Sequence, residues 1–104
     1  MSDLANPVRG EATILISGHP RILRPTFSAL VAAEEEIGSL FGLVERAGEG
    51  RLRLEELAAL FWHCLADRCG VSREAVGEAI IAQGLAASSK PLKTLLYQIL
   101  QGAG

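Results

Sequence analysis

The side chains with the most chemical potential fall in one stretch: His63, Cys64, Asp67 and Cys69. Such residues would serve a metal ion or a thiol nucleophile. His63 and Asp67 are four apart, so on a helix they share a face. Zinc, however, is usually held by four ligands from separated segments, often paired Cys-x-x-Cys units. This chain lacks that spacing, and the other histidine, His19, is remote in sequence. Adjacent His63 and Cys64 would point about 100° apart on a helix, which does not aim the imidazole at the thiol as a base must be aimed. On one helix Cys64 and Cys69 would stand about 8–9 Å apart at Cα. That exceeds the ~7 Å limit for a disulfide. The expectation is two thiols, with Cys64 a small core residue and His63 paired on the surface with Asp67. No catalytic residue, metal site or cofactor is expected, and neither G-x-x-x-x-G-K-[ST] nor G-x-G-x-x-G is present.

One further segment invites a metal. Glu45 to Glu56 can be laid on a calcium EF-hand loop, which places Gly at position 6, an apolar residue at 8 and Glu at 12. Gly50, Leu52 and Glu56 match, but Ala47 and Arg53 fall on ligand positions and the Asp/Asn set is missing. The segment reads as a Gly-broken connection between helices. A degenerate EF-hand-like or metal-binding regulatory module stands as the most distant alternative for the chain.

The elements that would position these residues can be read from periodicity. Residues 1–9 are polar, contain Pro7 and read as a flexible arm, leaving residues 10–104 as a single α+β domain. Glu11 to Ile16 and Arg21 to Arg24 flank Ser17-Gly18, which predicts a β-hairpin. Pro20 is tolerable there only at a strand end or edge. A lone hairpin is marginal in water, so it must pack on helices or pair with another chain's edge. Four to five short amphipathic helices follow. The first has Thr26 as N-cap and Phe27, Leu30, Val31 and Ile37 as its apolar stripe, and Gly38 stops it through the left-handed region. Its Glu34-Glu35-Glu36 end opposes the helix dipole. Ser39 caps a second helix bearing Leu40, Phe41, Leu43 and Val44. After a brief extended piece at Leu52 and Leu54, a third helix is predicted over 55–68. Its stripe is Leu57, Leu60, Phe61, Cys64 and Leu65, widened by Trp62, and Gly70 ends it. Ser72 caps a fourth helix with Val76, Ile80 and Ile81 inward and Gly84 as its stop. Ser88-Ser89-Lys90-Pro91 signals a fresh start. The last helix carries Leu92, Leu95, Leu96, Ile99 and Leu100.

Composition narrows the function further. The 104 residues are 49 % apolar, only 5 % aromatic, and carry a net charge of -2. Without a basic excess, no nucleic-acid partner is expected. No apolar run reaches the ~18 residues of a membrane span, so no membrane partner is expected either. The amino-terminal residues show no signal-peptide pattern, and free thiols fit a cytoplasmic setting. The expected activity is contact with protein. The candidate partner-binding residues are Leu92, Leu95, Leu96 and Ile99 on the last helix, with Glu34 and Glu35 as an acidic docking patch.

The order of blocks adds to this. Arg9-Gly-Glu11 opens the first strand, and Leu23-Arg-Pro-Thr-Phe-Ser-Ala-Leu30 opens the first helix. Gly50-Arg-Leu-Arg-Leu-Glu-Glu-Leu-Ala-Ala-Leu60, Val76-Gly-Glu-Ala-Ile-Ile81 and Gly84-Leu85 follow in sequence. Taken together, about residues 9 to 101 resemble the small phage tail protein family of gene transfer agents. That family is regarded as tail assembly chaperones and is sometimes labelled tail tube components. The resemblance implies a non-catalytic assembly role, with the tape-measure or tail tube protein as partner. A structural tube or connector subunit, pairing through its hairpin edges as a homo-oligomer, is the alternative. The sequence departs from the Ala-rich family pattern at Trp62-His63-Cys64, and no role is carried over there.

Overall fold

In the computed structural model, which describes residues 11–101, the chain opens on two antiparallel strands, β1 (Ala12–Ile16) and β2 (His19–Leu23). The predicted arm over 1–9 lies outside the described residues. Ser17 and Gly18 both have positive φ, 53° and 80°. That is the pattern of a two-residue type I′ turn, whose twist suits a hairpin. Such a turn makes Ile16 and His19 the closing hydrogen-bonded pair, so Leu15 opposite Pro20 is a non-bonded pair. The N–H that proline lacks would therefore have pointed out of the hairpin, which is why Pro20 is accepted inside β2. β1 alternates strictly, with Ala12, Ile14 and Ile16 buried and Thr13 and Leu15 exposed.

Five helices follow: α1 (Phe27–Ile37), α2 (Leu40–Gly48), α3 (Leu54–Cys64), α4 (Arg73–Gln83) and α5 (Leu85–Gln101). The fold is α+β, as the sequence predicts. Three predicted N-caps are realised: Thr26, Ser39 and Ser72 accept from the amides of Ala29, Gly42 and Ala75 at 3.1, 3.3 and 3.0 Å. α3 starts differently. The Glu56 carboxylate reaches back to accept from Arg53 N at 3.0 Å, which serves an otherwise unpaired donor at the helix start. α3 is the centre of the core, contributing Leu57, Ala59, Leu60, Phe61 and Cys64. α1 and α4 pack on it, and α4 and α5 lie against β1.

Several elements depart from the sequence reading, each for a packing reason. α1 does not bury Phe27 and Val31. It faces α3 with Ala29, Leu30, Ala33 and Ile37 instead, and Phe27 is 85 % exposed. That face is set by how α1 lies on α3, with Ala33 fully buried and Leu30 and Ile37 partly so. On α4 the helical period, not size, decides: Val76, Ala79 and Ile80 share the inner face while Ile81, one step on, is exposed. Gly38 does stop α1, but at φ 92° and ψ -168° rather than in the left-handed helical region. That conformation is essentially reserved for glycine. The extended piece is shorter than read, with Arg53 extended at φ -84° and ψ 149° and Leu54 already the first residue of α3. α5 starts at Leu85, not after Ser88, and runs through Pro91. Pro91 forfeits a helical hydrogen bond, a cost of about 3 kcal/mol. The burial of Leu95 and partial burial of Leu92 and Leu96 against the core offset it.

The largest departure concerns α3. It ends at Cys64, short of the predicted Arg68, because Leu65 turns extended at φ -59° and ψ 127°. Leu65 then bridges to Leu23 of β2. Ala66 N donates to Ile22 O at 2.9 Å and Arg24 N donates to Cys64 O. A continued helix would leave those outward groups of β2 without chain partners, so pairing outweighs helical propensity. On the other side, Gln83 Nε2 donates to Leu15 O at 2.9 Å.

The inner and outer aromatic residues should separate sharply in stability. Phe61→Ala, in the core, is expected to lower the unfolding free energy by about 3–5 kcal/mol. Phe27→Ala should stay within about 0.5 kcal/mol of the parent. Urea denaturation of the two variants checks this.

Candidate functional site

Two surface features stand out, both bordered by α1. The first is built where α1, the end of α3 and the start of α4 converge. Glu36, near the end of α1, accepts from His63 Nε2 at 2.8 Å and also pairs with Arg73 of α4. Arg73 and Arg68 each stack on the Trp62 ring at 4.8 Å, and Trp62 Nε1 donates to Val71 O at 3.0 Å. His63 meets the edge of Trp62 with ring centroids 5.0 Å apart. These contacts pin the 65–72 loop over the end of α3. They also hold the Glu36 carboxyl below its ordinary range, through the hydrogen bond from His63 first and that from Arg73 second.

Beside this cluster lies a polar cavity of about 240 Å³ at the N-terminal end of α1. Arg24, Thr26, Ser28, His63 and Arg68 line it with small apolar neighbours. His63 is nine-tenths buried, and its Nδ1 has no hydrogen-bond partner among the described residues. Arg24 is steadied by a 2.6 Å bond from its Nε to the buried Glu11 carboxylate. The second feature is an apolar cleft of about 170 Å³ between α2 and α5. It is lined by Glu34, Leu40, Phe41, Val44 and Ile99, and Phe41 is 78 % exposed.

The chemistry expected around His63 is rearranged by the early end of α3. Asp67 is not on the helix and does not pair with His63. Its carboxylate accepts from Cys69 N at 3.0 Å, and Glu36 takes the histidine instead. Cys64 is fully buried and Cys69 is exposed, and both are free thiols. Burial pushes the Cys64 thiol up to about 12, which disfavours the reactive thiolate at neutral pH. In the EF-hand-like segment, Glu56 pairs with Arg46 and Glu49 with Arg51. Among the described residues, no group of three His, Cys, Asp or Glu side chains is placed to hold a metal ion.

The candidate partner-binding residues scatter in depth. Leu95 is fully buried in the core and offers a partner no surface, a correction forced by the seating of α5 on the hairpin and α4. Leu92 and Leu96 are partly buried against the same core. Ile99 and Glu34 sit on the α2–α5 cleft, and Glu35 is exposed. Glu34 also accepts from Leu40 N at 3.2 Å, so part of the acidic end of α1 serves the start of α2. The polar cavity has no signature in the sequence. Arg24, Ser28 and Arg68 come from three segments and share no spacing signal. Phe27 and Phe41 read as core residues by periodicity, because nothing in the pattern says which apolar residues a helix contact will reject.

Comparison with known proteins adds one result. The family model described as phage tail tube protein, GTA-gp10, matches residues 9–102. No curated protein and no solved structure matches.

Two measurements test the geometry. A carboxylate held below its ordinary value stabilises the fold above that value, about pH 4.3, and the contribution disappears as pH falls through the lowered one. The stability gap between parent and Glu36→Gln should therefore be constant near neutral pH and close in acid. Its size at neutral pH should be under about 1 kcal/mol, as for half-exposed pairs. A gap that persists in strong acid would contradict the assigned pairing. Thiol titration with Ellman's reagent should modify one cysteine, Cys69, in the native chain and the second only on unfolding.

Proposed function

Since this chain belongs to the GTA-gp10 phage tail tube protein family, we propose that it is a non-catalytic structural subunit of the tube or connector of a phage-like tail. It enters the particle by protein–protein contact. The family description names the tube, and so favours the structural subunit over the tail assembly chaperone that the sequence blocks suggest. A phage-type tail role is common to both.

The observation that carries the reading from the structural side is unburied aromatic surface. Phe27 and Phe41 lie on a 104-residue chain with only five aromatic residues, and exposed aromatics mark protein contacts. The hairpin is a poorer contact than expected. The outer side of β2 is engaged by residues 64–66, and the Leu15 carbonyl of β1 is engaged by Gln83. Assembly therefore falls to the helices. No helix among the described residues is long and apolar enough to cross a membrane.

Quantitative mass spectrometry of purified particles tests this. A tube or connector subunit is retained in multiple copies per particle, and deletion of its gene leaves particles without normal tails. Loss of tails on deletion, combined with absence of the chain from finished particles and its recovery with the tape-measure protein, would instead support a chaperone. Normal tails after deletion would overturn both readings.

A further inference from the structure

The two ends of α1 are complementary to each other. Phe27, Val31 and Glu35 are spaced by four and form one exposed line along this 11-residue helix. At the N-terminal end, Phe27 projects beside the polar cavity. Arg24, Arg68 and His63 line that cavity, Arg24 being already paired with Glu11 and His63 with Glu36. Arg68 stacks on Trp62 and pairs with no carboxylate among the described residues. The helix dipole adds positive character at this end. At the C-terminal end Glu36 is taken up by Arg73 and His63, and the charge left outward is that of Glu35. Glu35 is exposed, no basic residue sits in the last turn, and Glu34 borders the apolar cleft of Leu40, Phe41, Val44 and Ile99. The size fits as well, since a dry cavity of about 150 Å³ is enough to bind benzene and this cleft is about 170 Å³.

We propose that copies of this chain join head to tail along α1. Phe27 of one copy enters the α2–α5 cleft of the next, and Glu35 of that next copy meets Arg68. The inference rests on the tail-subunit reading. An apolar knob at one end and its socket at the other make a heterologous contact, which leaves each copy with one unused end and so propagates into a ring or filament. An antiparallel side-by-side pair would use both ends of each α1 and stop at two. A basic pocket meeting an acidic end also sets the direction of addition, because like ends repel.

The test is sedimentation velocity of the full chain across a concentration series, on the parent and three variants. Parent mass should climb past the dimer, and less so at high salt, where such charge pairs are screened. Arg68→Glu and Glu35→Arg should each weaken association by about tenfold or more. An equimolar mixture of the two should recover it, since the acid introduced by the first variant then meets the base introduced by the second. Phe27→Ser removes no core contact, so it tests the knob even if Arg68→Glu disturbs Trp62, and it should weaken association to a similar degree. Three results overturn the proposal alone: parent assembly indifferent to Phe27→Ser and to both charge changes, no recovery on mixing, or a parent that stops at a dimer. A parent that remains monomeric at every concentration overturns it too. If that monomer is also absent from purified particles, the tail-subunit reading falls with it.

Discussion

The short pairing of residues 64–66 with β2 is the constraint on which the rest of the molecule depends. A two-stranded hairpin has two open sides, and its outward amides and carbonyls must find partners or remain in water. Ala66 and Cys64 meet the groups of Ile22 and Arg24. To do so, the chain must leave α3 at Leu65. That exit fixes the hairpin to the central helix and buries Leu23 and Leu65 together.

The same exit sets the surface. Because α3 stops at Cys64, the 65–72 segment loops back over Trp62 instead of continuing as helix. Arg68 and Arg73 then stack on the indole, and Val71 accepts its N–H. His63 turns towards α1 and Glu36, and the opening left between α1 and the loop is the polar cavity. Had the helix run to Arg68, His63 and Asp67 would have shared one face and this arrangement would not exist. A backbone satisfaction problem in a hairpin thus determines where charges stand much later in the chain.

The assembly reading follows from how little of the aromatic and charged surface is consumed internally. Cys64 is engaged by burial, His63 and Glu36 by their mutual pairing, and Asp67 by the amide of Cys69. What remains outward is contact chemistry: exposed aromatic rings, an arginine-lined pocket and an acidic helix end. This is the surface that the proposed assembly role would use.

Local chemistry was legible in the sequence wherever it was decided locally. Ser17-Gly18 accepts the positive φ its turn needs, and alternation marks β1. Thr26, Ser39 and Ser72 cap the helices they precede, and Gly38 and Gly84 end helices. Each of these depends on a few neighbouring residues and their own hydrogen bonds. Tertiary structure alone decided which apolar residues face inward, where α3 ends and whether Pro91 breaks a helix. Phe27 and Leu30 are equally apolar, and only the closeness of α3 discriminates between them. Leu65 continues a helical stripe by pattern, and only β2, far earlier in the chain, calls it into extended form. Pro91 opposes a helix locally, and the burial of Leu95 overrides it. The candidate surface belongs to this second group, because Arg24, His63 and Arg68 become neighbours only after hairpin and helix have been paired.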